Sequence, residues 1–206
     1  MLDASALECV RGERTLFRDV SFALEGGSLL RIAGANGSGK TSLLRILCGL
    51  SPPAQGEVRW RGERIRALGE EYWRHLIYIG HANAVKDDLT ALENLEIATA
   101  IGGRTATDGA ALDALGQFGV APCAALPARV LSQGQRRRVA LARLALSAEV
   151  PLWVLDEPFT ALDTAAVRFM ESLIGGQLAR GGTVVFTTHQ EVTIVAAISL
   201  RIDLSA

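Results

Sequence analysis

The sequence has few of the features that would place a protein outside the cell or inside a membrane. Its 206 residues contain three scattered cysteines, Cys9, Cys48 and Cys123, and no CxxC pair. An odd, unpaired set of cysteines argues against a disulfide framework and is typical of a reducing compartment. No uncharged apolar run reaches the about 18 residues that a membrane span requires, and the first residues do not resemble a signal peptide. We therefore expect a cytoplasmic protein that does not cross a membrane by itself.

The sequence also lacks an excess of charge of either sign. It has 21 Lys and Arg against 22 Asp and Glu, a formal net charge of -1, so no global signal points to nucleic acid. Hydrophobic residues make up 49% of the chain, which suits an α/β domain whose parallel strands are buried on both faces. The length is sufficient for one domain with a substantial core, and we predict a single domain over 1–206.

What the sequence does contain is a phosphate-binding loop pattern. Residues 34–41 read GANGSGKT, between an apolar run at 29–33 and a helical pattern, and this order of strand, loop and helix is the context that the motif requires. Glycines let the backbone curl and present several N–H groups to one anion, and the following helix N-terminus favours phosphate. A glycine turn before a core helix is the alternative. The residues predicted to hold a nucleotide are Gly34, Ala35, Asn36, Gly37, Ser38, Gly39, Lys40, Thr41 and Ser42.

Two further apolar runs end in residues suited to catalysis. The run Leu152–Leu155 leads directly into Asp156 and Glu157, and ligands of open α/β sheets bind at the carboxyl ends of such strands. Adjacent carboxylates repel each other, so that a site of this kind usually holds a cation. The run 183–188, which we predict to be the last core strand, is followed by His189. A single histidine after a strand also has a purely structural interpretation.

The three predicted strand ends together indicate Mg²⁺-assisted phosphoryl transfer from ATP to water. In this hypothesis Lys40 and the loop amides hold the β- and γ-phosphates, while Thr41 and Asp156 hold Mg²⁺. Glu157 polarises the attacking water. His189 either donates to the γ-phosphate or fixes that water.

The rest of the chain is predicted to decorate this core. The polar-edged pattern near 56–65 indicates an antiparallel hairpin, and helices are expected at 90–101, 108–118 and 132–146. No strand is predicted between 82 and 148. The predicted parts are a β-lobe at 1–24 and 55–68, a core at 25–54, 69–81 and 149–206, and an inserted helical subdomain at 82–148.

A run of three arginines, Arg136 to Arg138, occupies the first turn of the predicted 132–146 helix. Cations at a helix N-terminus oppose the helix dipole, so a local reason must favour them. A nearby anion and a solvated basic face are both possible at this point.

The motifs in this order resemble those of ATP-binding-cassette ATPases, over essentially the whole chain. They are GANGSGKT, LSQGQ, LWVLDEP, ALD and a single following histidine. The resemblance implies a P-loop NTPase fold with a RecA-like parallel core, and a head-to-tail dimer. It places each ATP between the phosphate loop of one copy and the LSQGQ signature of the other. Ser132, Gly134 and Gln135 match the signature, whose helix N-terminus is a second anion site, and Asp163 matches the loop that crosses the dimer interface.

Within that class the chain resembles the ATPase subunits of cytochrome c maturation complexes of the haem-exporter type. The resemblance rests on the short length and on the runs at 78–81, 89–95 and 131–138. It implies an ATPase bound to integral membrane permease subunits at the inner face of the inner membrane, coupling ATP hydrolysis to haem export or to release of a haem-loaded chaperone. With no CxxCH and three histidines, no direct haem site is expected.

Other functions remain open at this stage. The chain could be the ATPase of another small transporter of this class, or a soluble relative acting on nucleic acid or ribosomes. The latter would need a coiled-coil insert, a second cassette or a basic face, and the sequence has none of these. A small-molecule kinase would leave LSQGQ unexplained.

Two positions depart from the pattern of the class. His81 stands where most members have a glutamine that touches the metal or water; it either takes that catalytic role or is simply a histidine at a strand end. Arg11 stands where an aromatic residue normally stacks on adenine. Either the guanidinium plane of Arg11 stacks on the base or Phe17 replaces it.

Overall fold

A computed structural model describes residues 1–205, which fold around two β-sheets. The strands within these residues are β1 (Leu2–Arg11), β2 (Arg14–Leu24), β3 (Ser28–Ala33), β4 (Gln55–Trp60), β5 (Glu63–Arg64), β6 (Leu76–Ile79), β7 (Leu152–Leu155), β8 (Thr183–Thr187) and β9 (Ile198–Asp203). The α-helices are α1 (Lys40–Leu47), α2 (Ile65–Leu68), α3 (Glu70–Arg74), α4 (Ala91–Ile101), α5 (Asp108–Gln117), α6 (Gln133–Ala142) and α7 (Thr164–Ala179).

The larger sheet is parallel and has the order β6-β7-β8-β3-β9. Every residue of β7 and β8 is buried, as expected for strands covered on both faces. Neighbouring side chains of β3 pack on opposite faces of the sheet. Leu30 and Ile32 pack with α1 in one core cluster, whereas Leu29 packs with α7 in the other. This arrangement confirms the predicted α/β fold class.

The strand order determines where the functional loops lie. The carboxyl ends of parallel strands meet at one edge of a sheet. The phosphate loop follows β3, Asp156 and Glu157 follow β7, His189 follows β8, and His81 comes two residues after β6. Because β3, β8, β7 and β6 are successive neighbours in the sheet, all four loops open at the same edge.

The strand β9 contradicts one prediction. We expected 183–188 to be the last core strand, and this is wrong, because β9 pairs in parallel with β3 over six positions, from Ser28↔Ile198 to Ala33↔Asp203. All six residues of β9 are exposed or half-buried, as on a sheet edge. Without a continuous apolar run, this strand lacked the pattern by which the buried ones were recognised.

The smaller sheet is antiparallel, with the order β2-β1-β4-β5. Within 1–24, which was predicted to belong to the β-lobe, β1 and β2 form a long antiparallel hairpin. The hairpin predicted near 56–65 is shorter than expected, since β5 spans two residues and Ile65 already begins α2.

The segment between β6 and β7 is helical, as predicted, with α4, α5 and α6 and two 3-10 turns at Ala121–Cys123 and Ala128–Val130. Capping boxes form at both predicted helix starts, with Thr90 and Glu93 on α4 and Ser132 and Gln135 on α6. The helix α6 ends at Ala142, four residues earlier than expected.

The division into a β-lobe, a core and a helical subdomain stays a prediction, and its core range includes position 206, which lies outside the described residues. None of the helices described between 1 and 205 has both the length and the apolar character needed to span a membrane.

Candidate nucleotide-binding and catalytic site

The phosphate loop curls tightly at its glycines. Gly34, Gly37 and Gly39 have φ values of 144°, 80° and 102°, in a region that residues with a Cβ rarely adopt. Gly39 is also the cap of α1, and a Cβ added there would lie 3.0 Å from both Leu16 Cβ and Phe17 Cδ1. The loop therefore rests directly on β2, and glycine satisfies both the backbone and the space.

Lys40 is the first residue of α1 and is 9% exposed. Its Nζ donates to the carbonyl oxygens of Gly34 at 2.7 Å and Ala35 at 3.1 Å, so the ammonium group lies over its own loop. The first turn of α1 contains no acidic residue. The lysine charge and the unpaired N–H groups of the helix start thus act together to attract an anion.

Asp156 is 2% exposed and is held by hydroxyl groups on both carboxylate oxygens. Thr41 Oγ1 donates to Oδ2 and Thr187 Oγ1 donates to Oδ1, each at 2.8 Å. Strands β3, β7 and β8 thereby bring the phosphate loop and the buried carboxylate within direct contact. Burial, and secondarily the Asp156 carboxylate, raises the pKa of Tyr78 to about 12, so that phenol stays neutral.

Glu157 has a φ of 49°, which is uncommon for a residue with a side chain. Its backbone N donates to Thr187 Oγ1 at 2.9 Å, and its Oε2 accepts from the backbone N of His189 at 3.3 Å. Its Oε1 lies 3.5 Å from His189 Nε2 and is buried with no hydrogen-bond partner in the described part of the chain. This oxygen is free to accept a proton or to polarise a water.

Arg137 holds the backbone on which both acidic residues stand. It is 4% exposed, and its Nη2 donates to the carbonyl oxygens of Asp156 and Glu157, each at 2.8 Å. Its Nη1 donates to Gly80 O at 2.9 Å, which ties the end of β6 to the same point. Burial lowers the pKa of this guanidinium below its usual range, against the attraction of the two nearby carboxylates.

The neighbouring arginines resolve the alternatives left open by the run at 136–138. Arg136 pairs with Asp87 at 2.7 Å and Arg138 pairs with Asp163 at 2.8 Å. The anions that favour cations in this helix turn are therefore carboxylates of the chain itself. Asp163 also caps α7 by accepting from the backbone N of Ala166, and this bond, followed by Arg138, holds the pKa of Asp163 below its usual range.

The phosphate loop and the two acidic residues after β7 border a cavity of about 630 Å³, which is large enough for a nucleotide. The predicted site residues that line it are Arg11, Asn36, Gly37, Gly39, Lys40, Thr41, Ser42, His81, Asp156, Glu157 and His189. Phe17, the alternative to Arg11 for adenine stacking, is 7% exposed and packs under the loop instead of lining the cavity.

The remaining predicted site residues do not line this cavity. Gly34, Ala35 and Ser38 belong to the body of the loop, and Ser132, Gly134, Gln135 and Asp163 lie elsewhere. Ser132 Oγ accepts from Gln135 N at 3.2 Å while Gln135 Oε1 accepts from Ser132 N at 2.8 Å. The signature therefore forms a well-capped helix start that the cavity of the same chain does not use.

Sequence reasoning missed five residues that shape the site. Leu16, Thr160 and Gln190 line the cavity, and Thr187 and Arg137 hold the acidic pair. Thr187 was visible as a polar residue at the end of an apolar run, and Arg137 as a cation in an unfavourable helix position. The other three had no local signal.

The fold and the site together define a P-loop ATPase that carries an ATP-binding-cassette signature helix. The model of the ABC transporter family matches residues 17–160, and the chain belongs to that family. Near-full-length relatives are named cytochrome c biogenesis ATP-binding export protein CcmA. The one from Nitrosospira multiformis is 53% identical, covering 99% of this chain and 98% of its own length. The one from Nitrosomonas europaea is 55% identical, covering 94% and 91%.

Solved structures agree with this assignment. A dimeric ATP-binding cassette in a post-hydrolysis state with ADP and Pi has a TM-score of 0.80 at 28% identity, covering 92% of this chain and 88% of the other. A dimeric bacterial ABC transporter cassette has a TM-score of 0.80 at 29% identity, with the same coverage. The chain is thus an ATP-binding, ATP-hydrolysing member of the ABC family.

Proposed function

We propose that this chain is the ATPase subunit of a membrane complex for cytochrome c biogenesis, in which ATP binding and hydrolysis drive haem export or release of a haem-loaded chaperone. The observation that carries this proposal is the near-full-length likeness to relatives with that role in their name. The chain supplies the ATPase site, and the species that is moved is recognised by its partners.

For the reaction itself, the loop amides and Lys40 bind the phosphates, and Glu157 Oε1 takes up a proton from the attacking water. His189, held against Glu157, donates to the γ-phosphate or orients that water. His81 lies on the cavity wall and takes the place of the glutamine usual in this family, touching water or metal. Arg11, which also lines the cavity, stacks on adenine through its guanidinium plane.

The donor atoms near the phosphate loop suit Mg²⁺. Thr41 and Asp156 offer a hydroxyl and a carboxylate 2.8 Å apart, and Mg²⁺ prefers oxygen ligands while keeping several waters and substrate phosphates. No group of three or more His, Cys, Asp and Glu residues that could hold a metal is found among residues 1–205, so a cation with few protein ligands fits better than a transition metal. When bound there, Mg²⁺ would neutralise part of the negative charge of the phosphates.

The second half of the nucleotide site comes from an identical copy. Ser132, Gly134 and Gln135 begin α6 with N–H groups and a dipole that favour phosphate, yet they do not line the cavity of their own chain. In a head-to-tail dimer they cover the γ-phosphate held by the partner copy, with Asp163 at the interface. ATP then favours the closed dimer because it binds both copies at once.

The partners are integral membrane permease subunits, and the chain binds them from the cytoplasmic side of the inner membrane. We infer that they dock on the segment 81–89 and on α4, which leaves Ile97 and Ile101 exposed by 44% and 83%. The movement of α6 and α4 on ATP closure would be transmitted through this surface. No direct haem or nucleic-acid contact is proposed for this chain.

Co-purification of the tagged full chain from detergent extracts tests this proposal. Integral membrane proteins should be recovered with it. The double variant Ile97→Glu, Ile101→Glu places two charges on the proposed docking surface and should strongly reduce their recovery. Val195→Glu is the matched control, because Val195 is 84% exposed but lies in the segment before β9. Recovery with DNA or ribosomes instead, or equal recovery for both variants, would contradict the proposal.

A further inference from the structure

An arginine lies in the middle of the strand that leads into the phosphate loop. Arg31 is on β3, between β8 and β9, and it is the one residue of that strand that is not fully buried. Partly burying a guanidinium is costly unless it is paired or hydrogen-bonded. The residue therefore needs an explanation that packing alone does not give.

No carboxylate among residues 1–205 lies within ion-pairing distance of Arg31 to explain it. None of the ion pairs found among residues 1–205 involves Arg31, and its Nε is buried without a hydrogen-bond partner. Its register partner on β9 is Arg201, a second cation, which lies near Asp203 at 3.5 Å. Like charges on adjacent strands disfavour each other, so an apolar side chain would suit this position better for stability.

The contact that Arg31 does make is with the segment carrying His189. Its Nη2 donates to the carbonyl oxygen of Gln190 at 3.1 Å, and Gln190 directly follows His189. Residues 189–197 contain no helix or strand, and none of the backbone–backbone hydrogen bonds of turns and loops found in 1–205 involves them. The main chain at this point thus depends on side chains for its position, and Gln190 N, bound to Thr188 Oγ1 at 3.0 Å, is another such attachment.

This segment presents His189 to the catalytic carboxylate. The backbone N of His189 donates to Glu157 Oε2 at 3.3 Å, and its Nε2 lies 3.5 Å from Oε1. The side chain of His189 is otherwise open, with 54% of its surface exposed. The segment is thus attached at two neighbouring points. Arg31 binds the carbonyl oxygen of the residue after His189, and Glu157 accepts a hydrogen bond from the backbone N of His189 itself.

We propose that Arg31 is a positioning residue that fixes His189 by holding the carbonyl of Gln190. Because Arg31 stands three residues before the phosphate loop, the tether makes the loop and the His189 segment one unit, so that a phosphate held by the loop meets the imidazole at a constant distance. The proposal rests on the proposed role of His189 in hydrolysis. A displacement of a positioned group by about 1 Å is enough to cost on the order of 10²-fold in rate.

A double-mutant cycle on the full chain tests the tether. Arg31→Met keeps the aliphatic stem and removes the donor, and it should lower kcat for ATP about tenfold with the KM changed less than about twofold, while Arg31→Lys recovers much of the loss. In a His189→Ala background the same Arg31→Met change should have less than about a twofold effect, because the group that it positions is gone. Arg201→Met is the matched control and should leave kcat unchanged.

The outcomes separate the two proposals. An equal loss from Arg31→Met with and without His189 would show that Arg31 acts independently, and would overturn the tether. Arg31→Met should keep the thermal midpoint, because an apolar side chain suits this position; if it does unfold, Arg31→Gln, which also lacks the guanidinium, replaces it in the same cycle. Near-normal kcat for His189→Ala alone would contradict the role of His189 and, with it, the tether.

Discussion

The two carboxylates of the site differ in the hydrogen bonds that they accept, and hydroxyl groups of single residues cause the difference. Asp156 has both oxygens occupied by the hydroxyls of Thr41 and Thr187, whereas Glu157 keeps one buried oxygen without a hydrogen-bond partner in the described residues. A buried carboxylate whose two oxygens both accept hydrogen bonds is held in a fixed orientation, which suits a cation site. The free oxygen of Glu157 suits proton transfer instead.

This difference leads to a prediction for Glu157→Gln. The amide fills the same space but cannot take up a proton, so the full chain should bind ATP nearly normally and hydrolyse it at least about 10²-fold more slowly. ATP binding by equilibrium titration and phosphate release measured on the same preparation check both parts. Glu191→Gln, on the segment after β8, is the control of equal chemistry and should hydrolyse ATP normally. Near-normal turnover in Glu157→Gln would remove this residue from its role.

At the scale of secondary-structure elements, the sequence was most informative where apolar residues run without interruption. The runs that became β3, β7 and β8 were predicted to within one residue at each end, because strands buried on both faces are predominantly apolar. The strand β9 was missed, since its residues are half-buried at best and its pairing with β3 is a tertiary contact.

The functional loops could be predicted for a related reason. Residues 34–41, 156–157 and 189 each follow a run that was recognisable, and parallel strands bring such ends together. Leu16, Thr160 and Gln190 were not predictable, because nothing in their neighbourhood distinguishes a residue that lines the cavity from one that faces solvent. They are placed by the packing of β2 and of irregular segments on the sheet.

The helix α6 allows its structural and its functional roles to be separated. Ser132→Ala removes the side-chain cap of α6 and should cost about 1 kcal/mol of unfolding free energy. Thr90→Ala removes the equivalent capping box of α4 and should cost a similar amount. Ser132→Ala should in addition reduce the ATPase rate of the purified chain by about tenfold or more, because in the proposed dimer its hydroxyl also contacts the phosphate bound by the partner copy.

Thermal unfolding and steady-state ATPase assays on the two variants give the comparison. Equal thermal shifts with unequal rates are the expected result. If Thr90→Ala lowers the rate as much as Ser132→Ala does, the signature contributes helix stability alone and its proposed contact with ATP is wrong.

At the scale of the whole molecule, the signature does not line the cavity of its own chain, and in the proposed dimer the two belong to different nucleotide sites. The cavity is lined by part of the phosphate loop, the acidic pair and both histidines that the sequence analysis predicted for catalysis, but by none of the signature residues. Arg137 connects the two halves within the chain, since it stands on α6 and holds the carbonyls of Asp156 and Glu157. A single copy would therefore bind ATP on one side and leave the other side to water.

Mixing two inactive variants tests this arrangement directly. Lys40→Ala disables the phosphate loop and leaves the signature, while Ser132→Arg blocks the signature and leaves the loop. Each alone should be nearly inactive, because every site in its dimer carries one defect. In an equal mixture half of the randomly formed pairs have one complete site, so about a quarter of the wild-type rate per chain should return in a two-fold symmetric dimer.

The recovered rate should fall on dilution, as dimers dissociate. Lys40→Ala mixed with Glu157→Gln is the control and should recover nothing, because both defects lie on the loop side and every site of the mixed dimer carries one of them. Folded variants that show no recovery in any mixture, or a dilute wild-type chain that keeps its full rate, would mean that one copy forms a complete site alone.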